Sequence, residues 1–163
     1  MRVITIGNEL LRQKAATVTD INDELIKTYN MMLEVMERDS GIGLAGPQVG
    51  IMERIFVTHV QGDIKRFFIN PSILETSAET SKMEEGCLSI PKIYAVVARA
   101  KEIKIQAWNE KGRPFTLEAS GLLARVILHE YDHLEGILFW DRLTEAKRQR
   151  LMEKYEKMTN IQK

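Results

Sequence analysis

Two of the three histidines in this 163-residue chain belong to one short pattern, His129-Glu130-Tyr131-Asp132-His133. In a helix, residues four positions apart share a face, with about 5–6 Å between their Cβ atoms, so the two imidazoles can bind one metal ion. The glutamate beside the first histidine can then act on a water molecule at that ion. The pattern therefore predicts a metal-dependent hydrolytic site; the alternative is a helix that merely carries two surface histidines.

A catalytic site of this kind needs a third protein ligand and an open position for water. The candidates are Cys87, Asp132, Glu135 or a carboxylate distant in sequence. Asp132 is poorly placed, because it points about 100° away from its neighbour His133 around the helix. Cys87 is the only soft ligand in the chain, although a lone cysteine can also be a small buried side chain. From the residues alone the choice stays open. The third histidine, His59, lies in a predicted strand and is interpreted as structural.

Three helices are predicted to position these residues. The first follows Asp20, the expected N-cap, and ends near Ser40. The second runs from Gly121 to Gly136 and carries the histidine pattern. Thr144 is expected to cap a last helix that reaches about Met158. The first helix has apolar residues at helical spacing: Ile21, Leu25, Tyr29, Met32 and Met36.

The segment between the first two helices has the composition of β-strands. The predicted strands are Arg54–Val60, Lys65–Asn70, Tyr94–Ala98, Ile103–Trp108 and Pro114–Leu117. Asn109–Gly112 is the expected hairpin turn between the last two. Gly41–Gly50 contains four glycines and a proline, so we expect a loop without regular structure. Grouped strands with flanking helices predict an α+β fold with antiparallel sheets, formed as a single domain over residues 1–163.

Composition excludes several classes of protein. The 23 basic residues balance the 23 acidic residues, so nothing in the net charge attracts nucleic acid or an anionic membrane. The single cysteine excludes an internal disulfide framework. No apolar run approaches the roughly 20 residues that span a bilayer, and the N-terminus lacks the apolar core of a signal peptide. We therefore expect a soluble cytoplasmic protein.

Three separated motifs identify a family resemblance. The chain contains Gly41-Ile42-Gly43-Leu44-Ala45-Gly46-Pro47-Gln48, then Glu85-Gly86-Cys87-Leu88-Ser89, then the histidine pattern. In this order, and with the only cysteine inside the second motif, they resemble the peptide deformylases over nearly the whole chain. The resemblance implies removal of the N-formyl group from the starting methionine of new proteins, with release of formate.

The resemblance also implies a role for each matched residue. Cys87, His129 and His133 hold one divalent metal ion, natively Fe(II), with Zn(II), Ni(II) or Co(II) as substitutes. Glu130 is the general base and later the proton donor. The Gln48 side-chain amide and the Leu88 backbone N–H stabilise the oxyanion.

The implied substrate is an N-formylmethionyl nascent peptide. The Gly43 backbone is expected to hydrogen-bond the main chain of this peptide. The residues expected around the methionine side chain are Ile42, Met83, Leu122 and Val126. The C-terminal helix is expected to present a solvated face. The alternative is association with the ribosome, because the basic residues of this helix outnumber its acidic ones.

The chain departs from the family pattern at two positions. Gly46 stands where alanine is common, which is expected to loosen the loop that carries Gln48. Leu128 stands where glutamine is usual, so a group that orients a metal ligand is expected to be missing or replaced. Arg125 and Tyr94 are expected near the pocket rim. The family pattern also suggests a buried ion pair between Glu85 and Arg99.

Three competing functions are consistent with parts of the sequence. A zinc metallopeptidase uses a similar histidine helix, but usually completes its site with histidine or a carboxylate instead of a cysteine. A non-catalytic binding module would have no need of Glu130 or Gln48. A related hydrolase of another short N-acyl group would share the whole site, and only a panel of substrates would distinguish it.

Overall fold

The computed structural model describes residues 1–161, and its helices follow the predicted order. Helix α1 spans Asp23–Arg38, and the Asn22 side chain accepts a hydrogen bond from the Leu25 backbone N–H at 3.0 Å. The prediction of Asp20 as the N-cap was therefore wrong. Asn22 takes this position because its side-chain oxygen reaches the third residue of the helix, whereas Asp20 accepts a hydrogen bond from the Asn22 side chain.

Most of the strands form one antiparallel sheet of five strands. In chain order they are β1 (Gly43–Ala45), β2 (Ile55–Thr58), β3 (Arg66–Thr76), β6 (Glu102–Trp108) and β7 (Pro114–Ser120), and they lie side by side in that order. The predicted turn at Asn109–Gly112 is confirmed between β6 and β7. Strand β1 forms within the glycine-rich segment, where we expected no regular element, because Gly43–Ala45 pair with Phe56–Thr58.

A separate two-stranded hairpin carries the cysteine. Strand β4 (Thr80–Cys87) pairs antiparallel with β5 (Ile90–Ala100). The sequence analysis missed β4 entirely and shortened β5 to Tyr94–Ala98. Strand β4 escaped detection because half of its residues are exposed and only Glu85 is buried, so it lacks the apolar alternation that marks a half-buried strand.

Two further helices complete the fold. Helix α2 spans Gly121–Leu134 and carries the histidine pattern; nine of its fourteen residues are buried. Helix α3 spans Glu145–Ile161. Its predicted capping residue is confirmed, since the Thr144 hydroxyl accepts from the Lys147 backbone N–H at 3.3 Å. The expectation of an α+β fold with antiparallel sheets is also confirmed.

Helix α2 lies between the two sheets. Its apolar side packs with the five-stranded sheet in a core that includes Phe56, Phe68 and Ile127. It also contacts β5 of the hairpin. The hairpin itself packs on a core with Phe139 and Trp140. No helix among residues 1–161 is both long and apolar enough to span a bilayer.

Candidate metal and substrate site

Three side chains that could hold a metal ion converge where the hairpin meets α2. Donor atoms of Cys87, His129 and His133 all lie within 4.8 Å of one another. The Cys87 Sγ lies 3.3 Å from His133 Nε2. His129 and His133 are almost fully buried, and their positions one helical turn apart place both rings on the same face of α2. One thiolate and two imidazoles form a donor set that suits a divalent transition metal.

The orientation of His129 is fixed from behind by a carboxylate. His129 Nδ1 lies 2.8 Å from Glu85 Oε1, which leaves Nε2 for the site. Burial alone would raise the pKa of Glu85, but hydrogen bonds from His129 and Arg99 outweigh it and lower the pKa to about 2. Glu85 is therefore a carboxylate throughout the physiological range. A carboxylate behind a ligating histidine orients the ring and increases its basicity.

The two histidines differ in their affinity for a proton. Burial opposes the charged form of His129, yet Glu130 and Cys87 raise its pKa well above the ordinary value. Burial lowers the pKa of His133 well below that value, so His133 is neutral. The same negative surroundings that favour a proton on His129 also favour a divalent cation in the space that its Nε2 faces.

Glu130 places its carboxylate beside β1. A Cβ atom built on Gly43 would lie 2.6 Å from Glu130 Oε2 and 2.8 Å from Val126 Cγ1. Within residues 1–161, Glu130 Oε1 is buried and has no hydrogen-bond partner. Burial raises the pKa of Glu130 to about 7, which suits a group that accepts and returns a proton near neutral pH.

Gln48 reaches the site from a 3₁₀ turn at Gly46–Val49. Its Oε1 accepts a hydrogen bond from the Ala45 N–H at 2.9 Å, which fixes the orientation of the amide. Its Nε2 donates to Ser89 Oγ at 3.2 Å and points toward Cys87 Sγ at 3.5 Å. The amide donor therefore lies beside the cysteine. The fixed orientation makes it a suitable donor for an oxyanion.

A cavity of about 470 Å³ opens next to these groups. The predicted site residues that line it are Ile42, Gly43, Gln48, Cys87, Leu88, Leu122, Val126, His129 and Glu130. His133 lies behind them, in contact with Cys87. Met83, which was expected around the methionine side chain, is not among the residues that line the cavity. His59 lies 3.7 Å from Glu37 on the protein surface and takes no part.

The two expected rim residues have different positions. Tyr94 is 61% exposed and borders the cavity, with its ring packed against Gly86 on the neighbouring strand. Arg125 also borders the cavity, as expected, but it is only 4% exposed. The guanidinium points into the protein because buried acceptors on β4 and β5 bind it.

The structure contains a buried network of charges that sequence reasoning found only in part. The suggested pair of Glu85 and Arg99 is present, with nitrogen–oxygen distances of 2.6 and 3.0 Å. Arg99 also donates to Asp132 at 2.9 Å, and Asp132 accepts two bonds from Arg142. Both carboxylate oxygens of Asp132 thus accept from arginines, apart from the cluster of Cys87, His129 and His133. Arg125 could have indicated this network from the sequence, because a cation within the apolar sequence of α2 needs a buried partner.

The two departures from the family pattern lie outside the metal cluster. Gly46 is buried, and a Cβ there would lie 2.6 Å from the Ile51 carbonyl oxygen. Gly46 therefore lies where a side chain would meet backbone atoms, and the loosened loop stays a prediction. Leu128 packs partly buried against the core cluster that contains Phe56 and Ile127. The Glu85 carboxylate, not residue 128, is the group that orients His129.

Comparisons with known proteins agree with this geometry. The polypeptide deformylase family model matches residues 1–149. Peptide deformylase 1 of Clostridium perfringens is 52% identical over 135 residues, which cover 82% of this chain and 91% of that protein.

Solved structures give the same result. The peptide deformylase of Synechococcus elongatus, solved in complex with actinonin, superposes with a TM-score of 0.89 at 41% identity, covering 94% of this chain and 85% of that one. The Thermotoga maritima peptide deformylase has a TM-score of 0.85 at 44% identity, covering 88% and 97% respectively. These matches do not favour a metallopeptidase or another N-acyl hydrolase. The chain belongs to the peptide deformylase family, metal-dependent hydrolases that remove the formyl group from N-formylmethionyl peptides.

Proposed function

We propose that this protein deformylates nascent peptides at one divalent metal ion held by Cys87, His129 and His133. The observation that carries this assignment is the convergence of the three donor atoms within 4.8 Å, beside the cavity that Glu130 and Gln48 line. We propose Fe(II) as the native ion and Zn(II), Ni(II) or Co(II) as substitutes, since all four accept mixed thiolate and imidazole ligands. When bound, the cation supplies Lewis acidity, which polarises the formyl carbonyl and lowers the pKa of water so that it can act as a nucleophile near neutral pH.

Glu130 is the group that moves the proton. Its carboxylate takes a proton from the attacking water as the new carbon–oxygen bond forms. It then returns this proton to the methionine nitrogen as the carbon–nitrogen bond breaks, so that formate and a free amine leave. The buried, unpartnered Oε1 and the raised pKa of Glu130 support both halves of this role.

Gln48 and Leu88 stabilise the negative oxygen that forms when water adds to the carbonyl. The Gln48 amide is held by Ala45, so its Nε2 needs no reorganisation when charge develops. Leu88 follows Cys87 and lines the same cavity, and its backbone N–H is the second donor. Such a donor typically contributes about 2.7–4 kcal/mol to the transition state.

The substrate peptide binds along β1. This strand is at the edge of the five-stranded sheet, so one side of its backbone is available to an added strand. The Gly43 backbone bonds the peptide main chain, while Ile42, Leu122 and Val126 surround the methionine side chain. Met83 contributes to the same pocket only if substrate binding brings it closer, since it lies outside the cavity lining.

The cellular setting follows from the substrate. We propose that the protein acts in the cytoplasm as a single catalytic domain, because N-formylmethionyl chains emerge there from the ribosome. The basic residues of α3 support association with the ribosome; they include Lys147, Arg148, Arg150, Lys154 and Lys157. Retention of α3-truncated protein on purified ribosomes would contradict this last assignment.

The decisive experiment measures formate release from a formyl-Met-Ala-Ser peptide. Protein purified without oxygen is loaded with Fe(II) or Ni(II) and compared with Glu130→Gln, which keeps the size of the side chain. We expect the variant to lose about 10²–10⁴-fold in kcat and to retain its metal. Cys87→Ala is expected to lose the metal itself. The acetyl-Met-Ala-Ser peptide is assayed alongside. The proposal would be overturned if the metal-loaded wild-type protein released acetate from this peptide but no formate from the formyl peptide.

A further inference from the structure

The metal cluster depends on how the hairpin docks against α2. Two of the three donor residues, His129 and His133, belong to α2, whereas Cys87 belongs to β4. The hairpin is not part of the five-stranded sheet. The sheet's hydrogen bonds therefore do not fix the distance between the thiolate and the imidazoles, and other contacts must do so.

Arg125 makes contacts of this kind. It lies one helical turn before His129, and its guanidinium is almost fully buried. Its Nη1 donates to Glu85 Oε2 at 2.5 Å and to the Val97 carbonyl at 2.9 Å. Its Nη2 donates to the Ser81 carbonyl at 2.9 Å and to Ser81 Oγ at 3.3 Å. One side chain thus joins α2 to both strands of the hairpin.

Glu85 connects this clamp to the metal ligands. It lies two residues before Cys87, and its Oε1 also faces His129 Nδ1 at 2.8 Å. Arg99 binds Glu85 too, but Arg99 belongs to β5 of the same hairpin. Among the described contacts of the Glu85 carboxylate, only those with Arg125 and His129 cross to α2.

We propose that Arg125 is a positioning residue of the metal site: it fixes Glu85, and through Glu85 both the His129 ring and the Cys87 strand. This inference rests on the proposed metal centre. Removal of the guanidinium would leave Glu85 with one cationic partner inside the hairpin and none on α2 other than the histidine. The hairpin would keep two charged links to α2, Glu85 with His129 and Arg99 with Asp132. The cysteine strand would then be held less firmly relative to the two imidazoles.

The test measures the rate at which Co(II) leaves the protein in excess chelator, followed by the thiolate-to-cobalt absorption. The variant is Arg125→Met, which keeps the length of the side chain without its donors. We expect Co(II) release to be about 10–100-fold faster than in the wild type, the usual effect of losing a group that supports a metal ligand. We also expect weaker thiolate-to-cobalt absorption, a change that loss of stability alone does not produce.

Two control variants separate positioning from general destabilisation. Arg142→Met removes a 44% exposed arginine that binds Asp132 in the same network but does not bond Glu85. Leu25→Ala weakens the distant α1 core. Both are expected to release Co(II) at the wild-type rate, and urea unfolding of all metal-free proteins gives their relative stabilities.

Each outcome decides between these interpretations. If folded Arg125→Met releases Co(II) at the wild-type rate and has the wild-type thiolate-to-cobalt absorption, the positioning role is overturned and the proposed function is unaffected. Equal acceleration in Leu25→Ala would also overturn it. If Arg125→Met does not fold, Arg125→Lys decides in its place, because one ammonium group cannot bond Glu85, Val97 and Ser81 together. Wild-type protein that does not bind Co(II) at all would instead contradict the metal centre.

Discussion

Gly43 and Glu130 occupy adjoining space, since a Cβ atom on Gly43 would lie 2.6 Å from Glu130 Oε2. Gly43–Ala45 form β1 on the sheet, whereas Glu130 comes from α2. The absence of a side chain at residue 43 thus lets the proposed base lie directly against the strand that is expected to bind the peptide. The position of the substrate and the position of the proposed base therefore depend on the same glycine, and substitution of Gly43 by alanine tests this dependence.

We expect Gly43→Ala to lower kcat by at least about tenfold, because the new methyl must displace the Glu130 carboxylate or the Val126 side chain by a distance that catalysis does not tolerate. Formate release under saturating peptide gives kcat, and metal content is measured on the same sample. The matched control is Gly50→Ala, where a Cβ meets nothing within 4 Å although the positive φ makes it strained. Full activity in Gly43→Ala would show that Glu130 is not confined there.

Gln48→Ala removes the amide that points toward Cys87. We expect kcat to fall about 10²–10³-fold, with KM little changed, because the donor acts mainly on charge that develops in the transition state. Ser89→Ala is the control, since it removes only the hydroxyl to which Gln48 Nε2 also donates. Steady-state kinetics of both variants check this prediction. A loss confined to KM would indicate that Gln48 binds the ground state of the substrate instead.

Gly46→Ala introduces the residue that is common in the family at this position. In this chain the added Cβ would lie 2.6 Å from the Ile51 carbonyl oxygen and 3.0 Å from the Glu53 carbonyl oxygen. These are backbone atoms, which cannot move aside as a flexible side chain can. We expect a loss of about 1–3 kcal/mol in the free energy of unfolding, measured by urea denaturation of the metal-free protein. Increased stability would show that the loop has room for the methyl group.

The ion pair between Asp63 and Arg66 should contribute a pH-dependent part of the stability. Arg66 donates hydrogen bonds of 2.7 and 2.9 Å to Asp63, and these bonds lower the pKa of Asp63 below its ordinary value of 3.8. Because this pKa is lower in the folded state, the contribution is complete above the unfolded pKa and is lost as the pH falls through the folded one.

Asp63→Asn should therefore lower the free energy of unfolding by about 0.2–1 kcal/mol at neutral pH. The difference from the wild type should shrink as the pH falls below about 4. Urea unfolding of both proteins at several pH values measures it. A difference that stays constant down to the acid end of the range would mean that the charge of Asp63 is not its source.

Local spacing in the sequence was sufficient to predict two of the three proposed metal ligands. The spacing of His129 and His133 places two ligands on one face of α2, because helical geometry is local and depends only on a separation of four residues. Other local signals predicted further elements: apolar spacing indicated α1, Thr144 indicated the start of α3, and turn residues indicated the β6–β7 hairpin. The order of α-helical and β-strand segments was sufficient to predict the α+β class.

The residues that support the proposed ligands became known only from the folded chain. Strand β4 shows no apolar alternation, so neither its pairing with β5 nor the arrival of Cys87 at α2 could be derived from its residues. Arg125 was expected near the pocket rim, but the sequence gives no information about its buried acceptors, which lie 28 to 44 positions away in the chain. The close approach at Gly46 was likewise not predictable, because it comes from backbone atoms of a later segment. Such contacts depend on how distant segments pack, which local spacing does not encode.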